Sequence, residues 1–180
     1  MSFVFIFLVL IALWAIVTYN RFIVLRSRVD NAWAQIDVQL KRRFDLIPNL
    51  VNTVKGYAQH EKETLEKVTE SRTKYLSANT PDEKLQANSE LAGALSRLFA
   101  VAESYPDLKA SNNFLNLQTQ LKDTEDKIGF SRQFYNDTAM KYNIGIVKVP
   151  ASIIANLFGF KSRPYFEAEG ESRENVEVNF

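Results

Sequence analysis

Glu125, Arg132 and Asn136 follow one another at spacings of seven and four residues. On a helix that spacing sets an acid, a base and an amide in line along one face. Two chemistries are open to such a line. It can form a satisfied network between helices that fixes their register, with Asp45 as a fourth member and Arg43 or Arg72 as further candidates. It can also wall a groove for a ligand or partner. The structural use leads, because buried pairs commonly specify packing and no pocket chemistry accompanies these residues.

Other chemistry fails on residue type. A di-iron site in a helical bundle needs two Glu-x-x-His pairs, but the single histidine, His60, has Tyr57 where the glutamate should stand. His60 therefore reads as an exposed or capping residue near a helix boundary. The chain has no cysteine, which excludes disulfides, thiolate metal sites and a cysteine nucleophile. Neither a Gly-x-Ser-x-Gly elbow nor a phosphate-cradling glycine loop occurs. The expectation is a protein that is not an enzyme, with no catalytic or metal residues and no cofactor.

A second candidate is a turn. Tyr105, Pro106, Asp107, Leu108 and Lys109 combine an aromatic ring, a proline and opposite charges, and loops held by rigid elements often carry binding functions. The segment is read as a candidate partner-binding turn, with a rigid connector packed on the end of the helices as the plainer alternative.

The elements that must position these residues are helices. Glycines number six and prolines five, too few for an all-β chain built on tight turns, and the apolar residues recur at steps of three and four. Val29, Trp33, Ile36, Leu40, Phe44 and Ile47 draw the first stripe. Pro48 either kinks that helix, which continues through Val51, Val54 and Ala58, or sits in the first turn of a new one capped by Asp45; the unbroken phase of the stripe favours the kink. Leu65, Val68, Arg72 and either Tyr75 or Leu76 carry the next helix. Thr80-Pro81-Asp82-Glu83 is a capping box with proline at the first helical position, and Leu85, Asn88, Ala92, Leu95, Phe99 and Ala102 are the stripe it opens. The last long helix runs from Phe114 to Pro150. Four helices joined by short connections predict an antiparallel four-helix bundle with coiled-coil-like seams over 21–149, which brings Pro150 back to the end where the first helix began. An apolar segment, 150–166, then touches the membrane interface or the basic collar of the anchor, or folds back on the bundle. An acidic tail, 167–180, is read as disordered.

Ahead of the bundle, the first twenty residues carry no charged side chain, about 30 Å of helix and enough to span a bilayer core. Phe3 and Leu10 lie within the apolar run, Trp14 and Tyr19 suit the interfacial zone, and Arg21 opens a basic flank. No basic residue precedes the run and no small-residue cleavage site follows it, so 1–20 reads as an uncleaved anchor. Basic residues after the span (Arg21, Arg26, Arg28) place the N-terminus outside and the bundle in the cytoplasm of a single-pass inner-membrane protein. A net charge of +1 gives no basic face for nucleic acid.

The stretches Gln39–Glu61 (QLKRRFDLIPNLVNTVKGYAQHE), Ala100–Leu121 and Phe130–Asp137, with Tyr142-Asn143, closely resemble the LemA family of bacterial membrane proteins. The resemblance covers nearly the whole chain. It implies a four-helix bundle behind one N-terminal span, in a family some of whose members are associated with organising intracellular membranes. The function expected is a non-enzymatic, membrane-anchored scaffold or adaptor with the lipid bilayer, protein partners or a second copy of itself as partners. The alternative is a sensor whose bundle holds a ligand cavity and signals through the membrane helix.

Overall fold

A computed structural model describes residues 2–58 and 60–166. All of the regular structure among them is helical: α1 (Ser2–Asp45), α2 (Ile47–Lys55), α3 (Lys62–Ser77), α4 (Pro81–Ala102), α5 (Pro106–Lys109), α6 (Asn112–Val147) and α7 (Ala151–Leu157). The acidic tail, 167–180, lies outside the described residues.

Two environments divide α1. From Phe3 to Val17 its large apolar side chains are exposed, whereas from Phe22 onward the buried positions Val29, Ala32, Ile36, Leu40 and Phe44 recur at helical spacing. The first stretch is the one described helix long and apolar enough to cross a membrane. Pro48 produces the gentler of its two expected outcomes. Only Leu46 separates α1 from α2, and its backbone stays right-handed helical at φ −77°, ψ −21°. The amide of Leu46 donates to Arg43 O and that of Leu50 to Leu46 O, so the turn tightens and continues, and Ile47, Leu50 and Val54 keep the phase of the stripe. Asp45 caps nothing there. Its carboxylate instead accepts from Lys41 one turn earlier, at 2.6 Å.

The described chain gathers into two compact units: residues up to Gln35 with those from Phe130 onward, and Ile36–Gly129. In the second unit α3 packs along α4 and against α2. Thr80 opens α4 as expected: the Glu83 amide donates to the Thr80 hydroxyl (3.2 Å), and the Thr80 amide donates to the Glu83 carboxylate (3.1 Å). The buried face of α4 is rotated from the predicted one. Leu91 and Leu98 are fully buried beside Asn88 and Leu95, while Leu85, Ala92 and Phe99 are half-buried. A 3.6-residue repeat leaves the choice between adjacent positions to the neighbouring helix, and here α3 makes it. Phe44 stacks on Tyr75 with ring centres 4.1 Å apart, and fully burying a side chain such as Phe44, Leu91 or Leu98 stabilises by about 2–3 kcal/mol.

In the first unit the end of α6 lies against α1, close enough that a Cβ on Gly145 would stand 3.4 Å from a Leu25 methyl and 3.7 Å from the Phe22 ring. After α6, α7 buries Ile154 and Ala155. It ends on Gly159, whose φ of +69° only glycine adopts without strain. The Gly159 amide donates to Asn156 O and the Phe160 amide to Ala155 O, a Schellman closure that reverses the chain.

Candidate functional site

Beyond Gly159, residues 160–166 have no regular secondary structure, and α6 holds them by their backbone. Asn143 makes a two-way amide bond with Arg163: its Nδ2 donates to Arg163 O, and the Arg163 amide donates to its Oδ1, both at 2.8 Å. Asn136, seven residues earlier, does the same with Phe166, again at 2.8 Å. Between these rungs the Tyr135 hydroxyl donates to Pro164 O at 3.2 Å. Three chain residues thus match seven helix residues, which is the ratio expected of extended backbone at about 3.3 Å per residue beside a helix at 1.5 Å. Pro164 has no N–H to lose and biases Arg163 towards extended geometry.

Rings and one ion pair complete the attachment. Phe166 lies against Trp33 (5.7 Å) and Tyr135 (4.6 Å). Phe160 packs edge-on to Tyr19 (5.7 Å) and Phe22 (5.2 Å), with the Arg26 guanidinium 5.7 Å above its ring. Phe158 meets Tyr19 at 4.8 Å. Arg163 pairs with Asp30 at 2.8 Å on an exposed rim, and burial pushes the nearby Tyr142 phenol above its ordinary pKa. Within this unit Phe160 therefore lies against Arg26 of the basic flank, while 163–166 lie along α6.

Within the second unit, Arg43 has a 95% buried side chain and reaches two partners on other helices. It donates to Asn88 Oδ1 of α4 at 2.6 Å and pairs with the Glu125 carboxylate of α6. A second cluster joins α1, α3 and α4: Asp37 accepts from Lys84 at 2.7 Å and from the Tyr75 hydroxyl at 3.4 Å. Burial and the Asp37 charge hold the Tyr75 phenol far above its ordinary pKa.

The four residues expected to form one network are therefore separated. Glu125 pairs with Arg43, one of the further candidates, which also donates to Asn88; Asn136 serves the backbone of Phe166, Asp45 pairs locally with Lys41, and Arg132 keeps a buried Nε without a hydrogen-bond partner. Asn143 was outside that set, although its seven-residue spacing from Asn136 was the available signal. The turn forms the short helix α5. Leu108 is fully buried and Tyr105 donates to Glu61 at 3.1 Å, which raises its phenol pKa, while Lys109 pairs with Glu103. Pro106 and Asp107 remain exposed. Of the anchor residues, Phe3, Leu10, Trp14 and Arg21 are exposed and Tyr19 is half-buried beneath Phe158 and Phe160.

Elsewhere in the second unit an open groove of about 720 Å³ runs along α2 and α3, floored by Val51 and Leu65 and edged by Lys55, Lys62, Glu66 and Glu70. Among the described residues, no three histidine, aspartate or glutamate side chains gather as a metal-binding group.

Comparisons with known proteins agree with the motifs. The chain is 27% identical to magnetosome protein MamQ 2 of Paramagnetospirillum magneticum and 26% identical to MamQ of Magnetospirillum gryphiswaldense, over 83% and 82% of its length. These matches span 64% of either MamQ protein, less than two thirds of their length. It is 28% identical to Protein LemA of Metamycoplasma hominis over 86% of this chain and 71% of that one. The model of the LemA family matches residues 32–180, which is most of the sequence, and the chain belongs to that family.

Proposed function

We propose that this protein is a non-enzymatic scaffold, anchored in the bacterial inner membrane by α1, whose helices pack as an antiparallel bundle at the cytoplasmic face and recruit protein partners or further copies of the chain. One observation carries the reading: a single unbroken helix, α1, passes from an exposed apolar stretch at Phe3–Val17 to a buried stripe from Val29 onward. A helix of that kind fixes a folded body to a bilayer without a flexible linker. The relatives' names, magnetosome protein MamQ and LemA, state no catalysed reaction. The basic residues Arg21, Arg26 and Arg28 behind the span support a cytoplasmic body. The exposed Pro106 and Asp107, held out by the buried Leu108, are the proposed contact for a partner.

The test uses the full chain in its membrane. Carbonate extraction should leave it in the pellet, and protease should reach the helical body in inverted vesicles but not in intact spheroplasts. Crosslinking from membranes should then capture partners or a second copy, and Asp107→Arg should weaken that capture with no change in helicity. Release by carbonate would end the anchored reading, and unchanged capture would remove the α5 turn from it.

A second reading, a ligand sensor, draws on the groove along α2 and α3. Its floor is apolar but its edges are solvated charges, so it fits a small amphiphile better than a buried metabolite. A saturable small-molecule thermal shift that is lost on Leu65→Arg would favour it.

A further inference from the structure

We propose that α7 and Phe158 form a second lipid contact, lying in the interfacial zone of the same bilayer that α1 crosses. The inference rests on α1 being a membrane span and adds to it a place, an orientation and a set of residues.

Composition supplies the first reason. From Val149 to Phe160 there is no charged residue, with Lys148 before and Lys161 after. Burial supplies the second. Ile154 and Ala155 face inward, yet apart from Asn156 the outward positions are apolar: Ile153, Leu157, Phe158 and Val149 are 63%, 73%, 56% and 80% exposed. An isolated exposed leucine is ordinary, but a short helix whose outer face carries Ile153, Leu157 and Phe158 together calls for a neighbour other than water.

Position identifies that neighbour. Phe158 and Phe160 rest on Tyr19, two residues beyond Val17, where the exposed apolar stretch of α1 stops. The outward face of α7 therefore continues the lipid-facing surface of α1 instead of standing apart from it. Length agrees. Phe3–Val17 supplies about 22 Å of apolar helix, short of a hydrocarbon core of about 30 Å. A girdle at the level of Thr18–Phe22 brings the apolar height to about 30 Å. Arg21 at the same level can extend its head to the phosphates, and Lys148 and Lys161 can do so from the two ends of the segment. The Schellman turn at Gly159 makes the arrangement possible, because it leaves Phe158 outside while Phe160 tucks under Arg26.

Because the sequence lacks cysteine, single-site nitroxide labelling of the full chain in phosphatidylcholine–phosphatidylglycerol vesicles tests this directly. Labels are placed through Leu157→Cys, Ile153→Cys, Leu10→Cys and the exposed Asp137→Cys. Labels at 157 and 153 should collide with oxygen several-fold more, and with a water-soluble nickel chelate several-fold less, than the label at 137, at a depth shallower than that at 10. If positions 157 and 153 match 137 while 10 stays deep, the α7 proposal is overturned and the anchor stands. Shielding of 157 and 153 from both reagents would mean a protein covers them, and would also overturn it. A label at 10 open to nickel would overturn the span and this inference together.

Discussion

The two halves of α6 hold their neighbours by different means. At Glu125 the contact is side chain to side chain, with a buried guanidinium that accepts one geometry and joins three helices through Arg43, Asn88 and Glu125. At Asn136 and Asn143 the contact is side chain to backbone, on a partly exposed face, and the residues gripped could be almost any others. The first kind specifies which helices meet and in what register. The second specifies only that an extended chain lies there. Within α6, a selective side-chain contact and a tolerant grip on backbone thus serve different neighbours.

The hardest break comes from the selective side. Arg43→Ala strands Asn88 and leaves Glu125 without its cation, at a cost of about 3 kcal/mol once the half exposure of Glu125 is discounted. Chemical denaturation should show it, and Arg43→Met with Asn88→Leu should recover most of the loss if the three groups act as a register device. On the tolerant side, Asn136→Ala removes two hydrogen bonds, worth about 1–2 kcal/mol of local docking. Hydrogen exchange at the Phe166 amide should quicken about tenfold while global stability barely moves.

A smaller test sharpens the contrast from within α4. Thr80→Ala should cost about 1 kcal/mol, and it carries a pH signature. The amides of Asn79 and Thr80 hold the Glu83 carboxyl below its ordinary pKa. Its contribution is therefore fully present above the unfolded-state value and is lost as pH falls through the lower native one. Glu83→Gln should flatten that acid limb of the stability profile. The smallest effect is expected in the extended segment itself. Arg163→Ala deletes only the exposed pair with Asp30, below about 1 kcal/mol, and exchange at the 163 amide should stay slow because Asn143 grips the backbone.

The same distinction explains what could be read from residues alone. Thr80 to Glu83 was legible because every partner lies within four positions. The stripe of α1 was legible because Pro48 interrupts the hydrogen bonding but not the phase. Glu125 and Asn136 were recognisable as polar residues on a seam, and Asn88 lay on its predicted stripe, but their partners lie 82, 30 and 45 positions away along the chain. No local pattern encodes such a distance. Asp45 illustrates the opposite pull, since a lysine one turn back outcompetes a remote partner. For α4, periodicity gave the face to within one residue and the packing of α3 chose between Leu91 and Ala92.

One consequence of the paired asparagines concerns insertions and deletions. Two rungs seven helix positions apart are bridged by three residues of extended chain, and neither amide reads a side chain. Rewriting Lys161, Ser162 or Tyr165 should leave the rungs aligned, whereas adding or removing one residue between Arg163 and Phe166 moves every later amide by about 3.3 Å and breaks the match. Over this stretch, spelling is free and word length is fixed.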